Sequence, residues 1–160
     1  MPRTRNERLR SIAQMMQGKV LDPASTVDAL QRVLEPGDRV ALEGNNQKQA
    51  DYLSRSLAQV SPRRIHDLHM VMPCLTRQEH LDLFESGLAR RADFAYCGPL
   101  PQQVARAITE ETLQTSAIHT YLELYARMYL DLAPRWRWWP RKWPTLMAIS
   151  TPAPTRKKRR

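Results

Sequence analysis

The run Leu42-Glu43-Gly44-Asn45-Asn46-Gln47-Lys48-Gln49-Ala50-Asp51 joins a short apolar strand to a helix. Arg39 to Glu43 reads as the strand, and Gly44-Asn45-Asn46 as the turn that ends it. From about Gln47 to Ala58 the apolar residues Ala50, Leu53 and Leu57 recur at helical spacing. A strand passing through a Gly/Asn turn into a helix is the building unit of an α/β sheet. In such sheets ligands sit beyond the carboxyl ends of the strands. Helix N-termini there offer unpaired N–H groups and a partial positive charge. Gly44 would let a ligand approach the backbone closely. Asn45, Asn46 and Gln47 would add amide donors and acceptors for a carbonyl or a cofactor arm. A plainer reading is that Asn45 and Asn46 only make the turn and cap the helix.

The same alternation continues on both sides. Leu9, Ile12, Ala13 and Met16 place one apolar face on a helix from Arg5 to Gln17, ending at Gly18. Ser25 can cap a second helix through Leu34, and Pro36-Gly37-Asp38 turns the chain into the first strand. Pro62 breaks the helix that follows Gly44. Ile65 to Met72 predicts a strand closed by Pro73. Thr76 and Glu79 form a capping-box pattern ahead of Leu81, Leu83, Phe84 and Leu88. Asp93 to Cys97 predicts a third strand, closed by Gly98-Pro99, and Gln102 to Ile108 a further helix. The stretch Ile118 to Leu132 is apolar and aromatic and fits either element. The pattern predicts an α/β fold with a mainly parallel sheet and flanking helices.

Charge divides the chain of 160 residues in two. The net charge is +9, yet residues 134–160 hold nine Lys or Arg and no acid. Residues 1–133 are therefore neutral, with 16 basic and 16 acidic residues. All four tryptophans lie in 134–160 and none of the five glycines does. A balanced globular segment, 1–133, thus meets a basic Trp/Pro/Arg-rich tail, 134–160, of foreign composition. No apolar run reaches the ~18 residues of a membrane span. The opening MPRTRNERLRSIAQMM carries charge but no apolar stretch before a small-residue cleavage site, which predicts no signal peptide. Cys74 and Cys97 lack CxxC spacing, which predicts two reduced thiols in a reducing cytoplasm.

Few residues carry a chemical signature. On a strand His66 and His69 would point to opposite faces, so one metal ion could not use both, and a structural role is expected. His80 beside Glu79 reads as a surface pair. His119, Tyr121, Glu123 and Tyr125 would share one face of a strand but spread around a helix. No Walker loop and no GxSxG is present, and neither cysteine has a catalytic surround.

Five runs resemble malonate decarboxylase alpha subunits. They are LEGNNQKQADYL (Leu42 to Leu53), IHDLHM (Ile65 to Met70), EHLDLFESGLAR (Glu79 to Arg90), DFAYCGP (Asp93 to Pro99) and AIHTYLELYAR (Ala117 to Arg127). Their order and spacing agree with that family over most of residues 20–133, about the first quarter of its chains. The resemblance implies an incomplete coenzyme A transferase-like α/β domain. It implies an acyl-carrier-protein transferase that exchanges acetyl for malonyl on a carrier thiol. That thiol belongs to the phosphoribosyl-dephospho-coenzyme A group of the carrier subunit, and no cofactor is expected on this chain itself. The implied partners are the acyl carrier protein, the other decarboxylase subunits and malonate, in the cytoplasm, with neither nucleic acid nor a membrane span. Gly44, Asn45, Asn46 and Gln47 become candidates for lining the thioester site. The key glutamate of coenzyme A transferases is expected beyond this segment, so the chain alone should be inactive.

The tail reads differently in another frame. Regrouping each codon's last base with the next two forces Val across Trp138-Trp139, Ala across Trp139-Pro140 and Gly across Met147-Ala148. With permissive third bases the tail becomes ALVAAEVADAHGNLYTGPNTEET, similar to the family's expected hydrophobic strand and glycine/asparagine-rich loop. The tail is therefore expected to be out-of-frame and disordered, and the sheet to lack a strand there. The rival expectation is a binding module whose basic tail contacts nucleic acid or an anionic membrane.

Overall fold

The computed structural model describes residues 3–18, 20–42, 51–133, 136–140 and 147–150. Six strands form one sheet in the order β6-β5-β4-β3-β7-β8. These are β3 (Arg39–Leu42), β4 (Leu68–Cys74), β5 (Ala89–Tyr96), β6 (Gln114–Ile118), β7 (Trp136–Pro140) and β8 (Met147–Ser150). Strands β3 to β7 pair in parallel, and β8 returns antiparallel to β7. A separate hairpin, β1 (Met16–Gln17) with β2 (Val20–Leu21), follows the first helix.

Parallel neighbours need crossovers, and each is a helix. After α1 (Arg5–Arg10) and α2 (Thr26–Val33), α3 (Asp51–Ala58) links β3 to β4, and α4 (Gln78–Glu85) links β4 to β5. Then α5 (Pro101–Thr109) links β5 to β6, and α6 (Tyr121–Leu130) leads from β6 to β7. The large core joins Leu30, Leu53, Leu57, Leu81, Phe84 and Val104 of α2 to α5 to Val40, Met70, Met72 and Phe94 of the sheet. A second core, Ala41, Val71, Leu124, Met128 and Leu132, lies between the sheet and α6. Val40 and Ala41 are adjacent, as are Met70 and Val71, and successive strand residues face opposite sides. The sheet is thus covered by α2 to α5 on one face and by α6 on the other. Strand β4 is accordingly buried at six of its seven positions, the pattern of a strand covered on both faces.

Several boundaries differ from the sequence reading. The first helix stops at Arg10, because the chain turns through a short 3-10 segment, Ala13–Met15, into the hairpin. Ser61 accepts backbone hydrogen bonds from Arg64 and Ile65, so β4 starts later, at Leu68. Pro73 lies inside β4 rather than after it. The described ladder with β3 stops at Ala41 and Val71, so Pro73 lies beyond that pairing. The capping box at Thr76 does not form: α4 starts after Arg77, and no side chain caps it. A box that the sequence reading did not include forms at Thr4 with Glu7 instead.

Trp136–Pro140 lies beside β3, with Val40 opposite Trp136 and Leu42 opposite Trp138. Together with Met147–Ser150 it replaces the disorder and the missing strand expected of those two stretches. The physical reason is that a parallel ladder is made by backbone groups, and aromatic side chains favour extended backbone. The remaining residues of 134–160 lie outside the described residues.

Candidate functional site

The strand order reverses beside β3. From β3 the chain steps outward through β4, β5 and β6, then α6 carries it back across the opposite face to β7, on the other side of β3. That reversal is a topological switch point, and in open α/β sheets ligands bind beyond the carboxyl ends of the strands beside it, here β3 and β7. Gly44, Asn45, Asn46 and Gln47 follow β3 in sequence. They lie outside the described residues, as does the start of the helix predicted from Gln47. What is described is the frame around them. Leu42 is 1% exposed at the end of β3. Helix α3 resumes at Asp51 and is tied to the preceding layer by Tyr52, whose hydroxyl donates to the Pro23 carbonyl at 2.5 Å.

The carboxyl ends of β4 and β5 are locked together. Leu75 N–H donates to the Tyr96 carbonyl at 2.7 Å. Gly98 has φ +50, and a Cβ there would stand 2.6 Å from Thr76 Cγ2. Glycine is therefore required by both backbone conformation and space. Tyr96 is exposed and Cys97 half-buried on this rim, while Cys74 is buried, and no disulfide joins the two cysteines.

Two polar groups lie under the helices. His80 is not a surface residue: it is 1% exposed, between α3 and α4. Its Nδ1 accepts from the Thr76 N–H at 3.3 Å, so the ring proton sits on Nε2, 3.1 Å from Ser54 Oγ. His80 therefore donates to Ser54 and is not placed as a base toward it, and both side chains are closed to substrate.

The other group spans the sheet beneath α6. Asp93 is buried in β5 and takes His69 Nε2 on one oxygen at 2.5 Å and His119 Nε2 on the other at 2.8 Å. Arg39 Nε donates to His69 Nδ1 at 3.3 Å, and Arg39 Nη1 donates to the Asp131 carbonyl at 2.7 Å, just past α6. Glu123 stands 3.3 Å from His119 Nδ1 without hydrogen-bond geometry. Burial, the largest influence, holds the His69 pKa below the ordinary histidine value, and the Asp93 carboxylate partly offsets it. A neutral ring fits the geometry, because Nδ1 accepts and Nε2 donates. Asp131 is held below the usual carboxylate range by the hydrogen bonds of Arg127.

This network fixes the helix that creates the switch point. At its start, Thr120 Oγ1 accepts from the Glu123 N–H at 3.2 Å and His119 grips Asp93. At its end, Arg39 holds the Asp131 carbonyl. His66 stands apart, half exposed and paired with Asp67. It precedes β4 rather than lying on it. The described residues hold no group of three His, Cys, Asp or Glu that could bind a metal. Sequence reasoning missed this network as a unit. The one available signal was Asp93, an acid opening an apolar strand run, which needs a partner when buried.

These features define an open α/β sheet with helices on both faces and a strand reversal beside β3. The sequence profile described as "Malonate decarboxylase, alpha subunit, transporter" matches residues 2–138, and the chain belongs to that family. It is 47% identical over 117 residues to the acetyl-S-ACP:malonate ACP transferase of Malonomonas rubra, covering 73% of this chain and 21% of that protein. A solved Pseudomonas malonate decarboxylase hetero-tetramer in complex with malonate is similar at 51% identity and a TM-score of 0.79. The malonate decarboxylase alpha subunit of Acinetobacter baumannii is similar at 48% identity and the same TM-score. Each structural match covers 82% of this chain and 24% of the other. The chain thus spans between a fifth and a quarter of the relatives it matches.

Proposed function

We propose that this chain is the part of a malonate decarboxylase alpha subunit that builds one wall of its acyl-transfer site. The reaction is exchange on a carrier thiol: acetyl thioester and malonate give malonyl thioester and acetate. The C–S bond to acetyl breaks, a C–S bond to malonyl forms, and one malonate carboxylate oxygen leaves on acetate. The thiol would be that of the carrier's phosphoribosyl-dephospho-coenzyme A group. The observation that carries this reading is the position of Gly44 to Gln47 in the chain. They follow Glu43 after β3, the strand beside the reversal, in a chain about half identical to a named transferase.

At such a strand reversal the chemistry needs donors for the oxygen of a thioester carbonyl as it gains charge. The amide side chains of Asn45, Asn46 and Gln47 and the backbone at Gly44 are the groups we assign to that task. The chain's own contribution is binding and orientation. Turnover requires the remaining length of a family subunit, together with the carrier and the decarboxylating subunits.

Asn45→Ala, placed in a family-length subunit carrying this segment, tests the assignment. Steady-state kinetics should show kcat/KM for malonyl transfer falling by about 10²-fold or more, the effect of removing one oxyanion donor. Unchanged turnover with unchanged thioester affinity would remove Asn45 from the site.

A further inference from the structure

The His69 ring holds one proton and has one place for a second. Its Nε2–H donates to Asp93 Oδ2 at 2.5 Å, and its Nδ1 accepts from Arg39 Nε at 3.3 Å. A second proton can go only to Nδ1, where the Arg39 N–H already points. The imidazolium would then face the guanidinium donor to donor and cation to cation. Arg39 cannot give up that bond alone. The same planar guanidinium carries Nη1, which donates to the Asp131 carbonyl at 2.7 Å. Asp131 closes the last turn of α6, where its N–H donates to the Arg127 carbonyl at 3.0 Å. The Leu132 N–H donates to the same carbonyl at 2.7 Å, and its side chain packs on Ala41 and Val71. One guanidinium thus ties the first residue of β3 to a ring on β4 and to the end of α6.

We propose that His69 and Arg39 form a proton-operated latch: a proton taken up at His69 Nδ1 drives Arg39 off the ring and frees the carboxyl-terminal end of α6. The groups around His69 set its direction. Asp93 on β5 accepts from Nε2 in either proton state, so the ring stays seated while Arg39 leaves. Arg39 on β3 and Arg91 on β5 stand opposite His69 in one cross-strand row. Burial does most to lower the His69 pKa, the charges of Arg39 and Arg91 add to it, and Asp93 opposes them. From the side of α6, His119 shares Asp93, Glu123 stands beside His119, and Arg127 pairs with the Asp131 carboxylate. The Asp38 carbonyl accepts from the His69 N–H at 3.0 Å, while its carboxylate pairs with Arg8. His66 and Asp67, ahead of β4, pair with each other. The end of α6 is where the chain turns toward β7, which opens at Trp136 beside Val40, the residue after Arg39. The latch is therefore shut at neutral pH and opens as pH falls below about 6.5, loosening the crossover that makes the strand reversal. It rests on this hydrogen-bond geometry and not on the transfer reaction, so it stands or falls separately from the role of Asn45.

Amide hydrogen exchange of the 160-residue chain, resolved by residue with NMR, tests the latch. Protection is measured between about pH 7.5 and about pH 5, across the ordinary histidine range, and corrected for each amide's intrinsic exchange rate. The Asp131 and Leu132 amides should lose protection by about tenfold or more as pH falls, the effect of losing one hydrogen bond to a charged group. The Leu124 amide, which donates to the Thr120 carbonyl at 2.9 Å at the other end of α6, should keep its protection. His69→Gln retains a donor for Asp93 and a carbonyl for Arg39 but does not titrate, so its Asp131 and Leu132 amides should stay protected throughout. Arg39→Met should show low protection at these two amides from the start, with no further fall. Circular dichroism checks that each variant is folded. Flat protection in the wild-type chain would overturn the latch, as would a loss shared equally by Leu124. So would an undiminished fall in His69→Gln. Should that variant not fold, Arg39→Met decides: a fall with pH in the absence of the guanidinium would equally overturn it.

Discussion

Arg8 is a charged residue beside the apolar face of the first helix, and it is 1% exposed. Its guanidinium pairs with Asp38 and Glu35 and donates to the Val33 carbonyl at 3.1 Å. A long charged side chain gives no periodic signal of burial, so this anchor was not legible from spacing. Glu35 is held below the usual carboxylate range: burial raises it, and the hydrogen bonds and charges of Arg3 and Arg8 outweigh that. Arg8→Ala would leave the buried Asp38 carboxylate without its guanidinium. Urea unfolding should show a loss of about 3–5 kcal/mol, the cost of removing one partner from a buried pair. A loss under 1 kcal/mol would mark the pair as dispensable. His69 sets a second expectation. Its folded pKa lies below its unfolded value, so its contribution is complete above about pH 6.5. That contribution is lost as pH falls through the lowered value. The urea midpoint should therefore be flat above neutrality and fall below about pH 6.5, ahead of the carboxylates. His69→Gln, which can still donate to Asp93, should remove that first decline while the later loss from Glu35 and Asp131 remains. An identical profile in the variant would show that another group is responsible.

At the scale of elements, legibility followed how local each cause was. Helix α2 and strand β3 stand within a residue of their expected bounds, because Val27, Leu30 and Val33 keep helical spacing and Gly37 and Gly44 punctuate the strand. The stretch from Ile118 to Leu132 fitted two elements because exposed Leu122, Tyr129 and Leu130 add to the buried Leu124 and Met128 of α6, which blurs the stripe that marks an amphipathic helix. Its start is nevertheless set locally by the Thr120 cap. The pairing of His69, Asp93 and His119 depends on which strands lie side by side, and residues 24 and 26 apart in sequence give no local sign of contact. His80 was misplaced for a related reason. Its partner Ser54 comes from α3, and only the packing of α3 on α4 buries them both.

For the whole molecule, a mainly parallel α/β sheet with flanking helices was readable from the alternation of elements, but the switch point was not. It requires α6 to return across the sheet to the far side of β3, and strand order is not a property of any single run. The candidate residues Gly44 to Gln47 came from the strand–turn–helix reading. The topology supplies the reason that this turn, rather than those after β4 or β5, is the site we propose: it follows β3 at the reversal. Similarity at 47–51% identity extends over most of the chain, so the exchange of this segment into a relative is structurally reasonable. The most direct measurement is malonate-dependent exchange onto acetylated carrier protein. It would be catalysed by the Malonomonas rubra transferase with its matched segment replaced by residues 1–133 of this chain. The expected kcat/KM lies within about tenfold of the parent, a loss of no more than ~1.4 kcal/mol in transition-state binding. A chimera that folds and binds the carrier yet shows no exchange would contradict it.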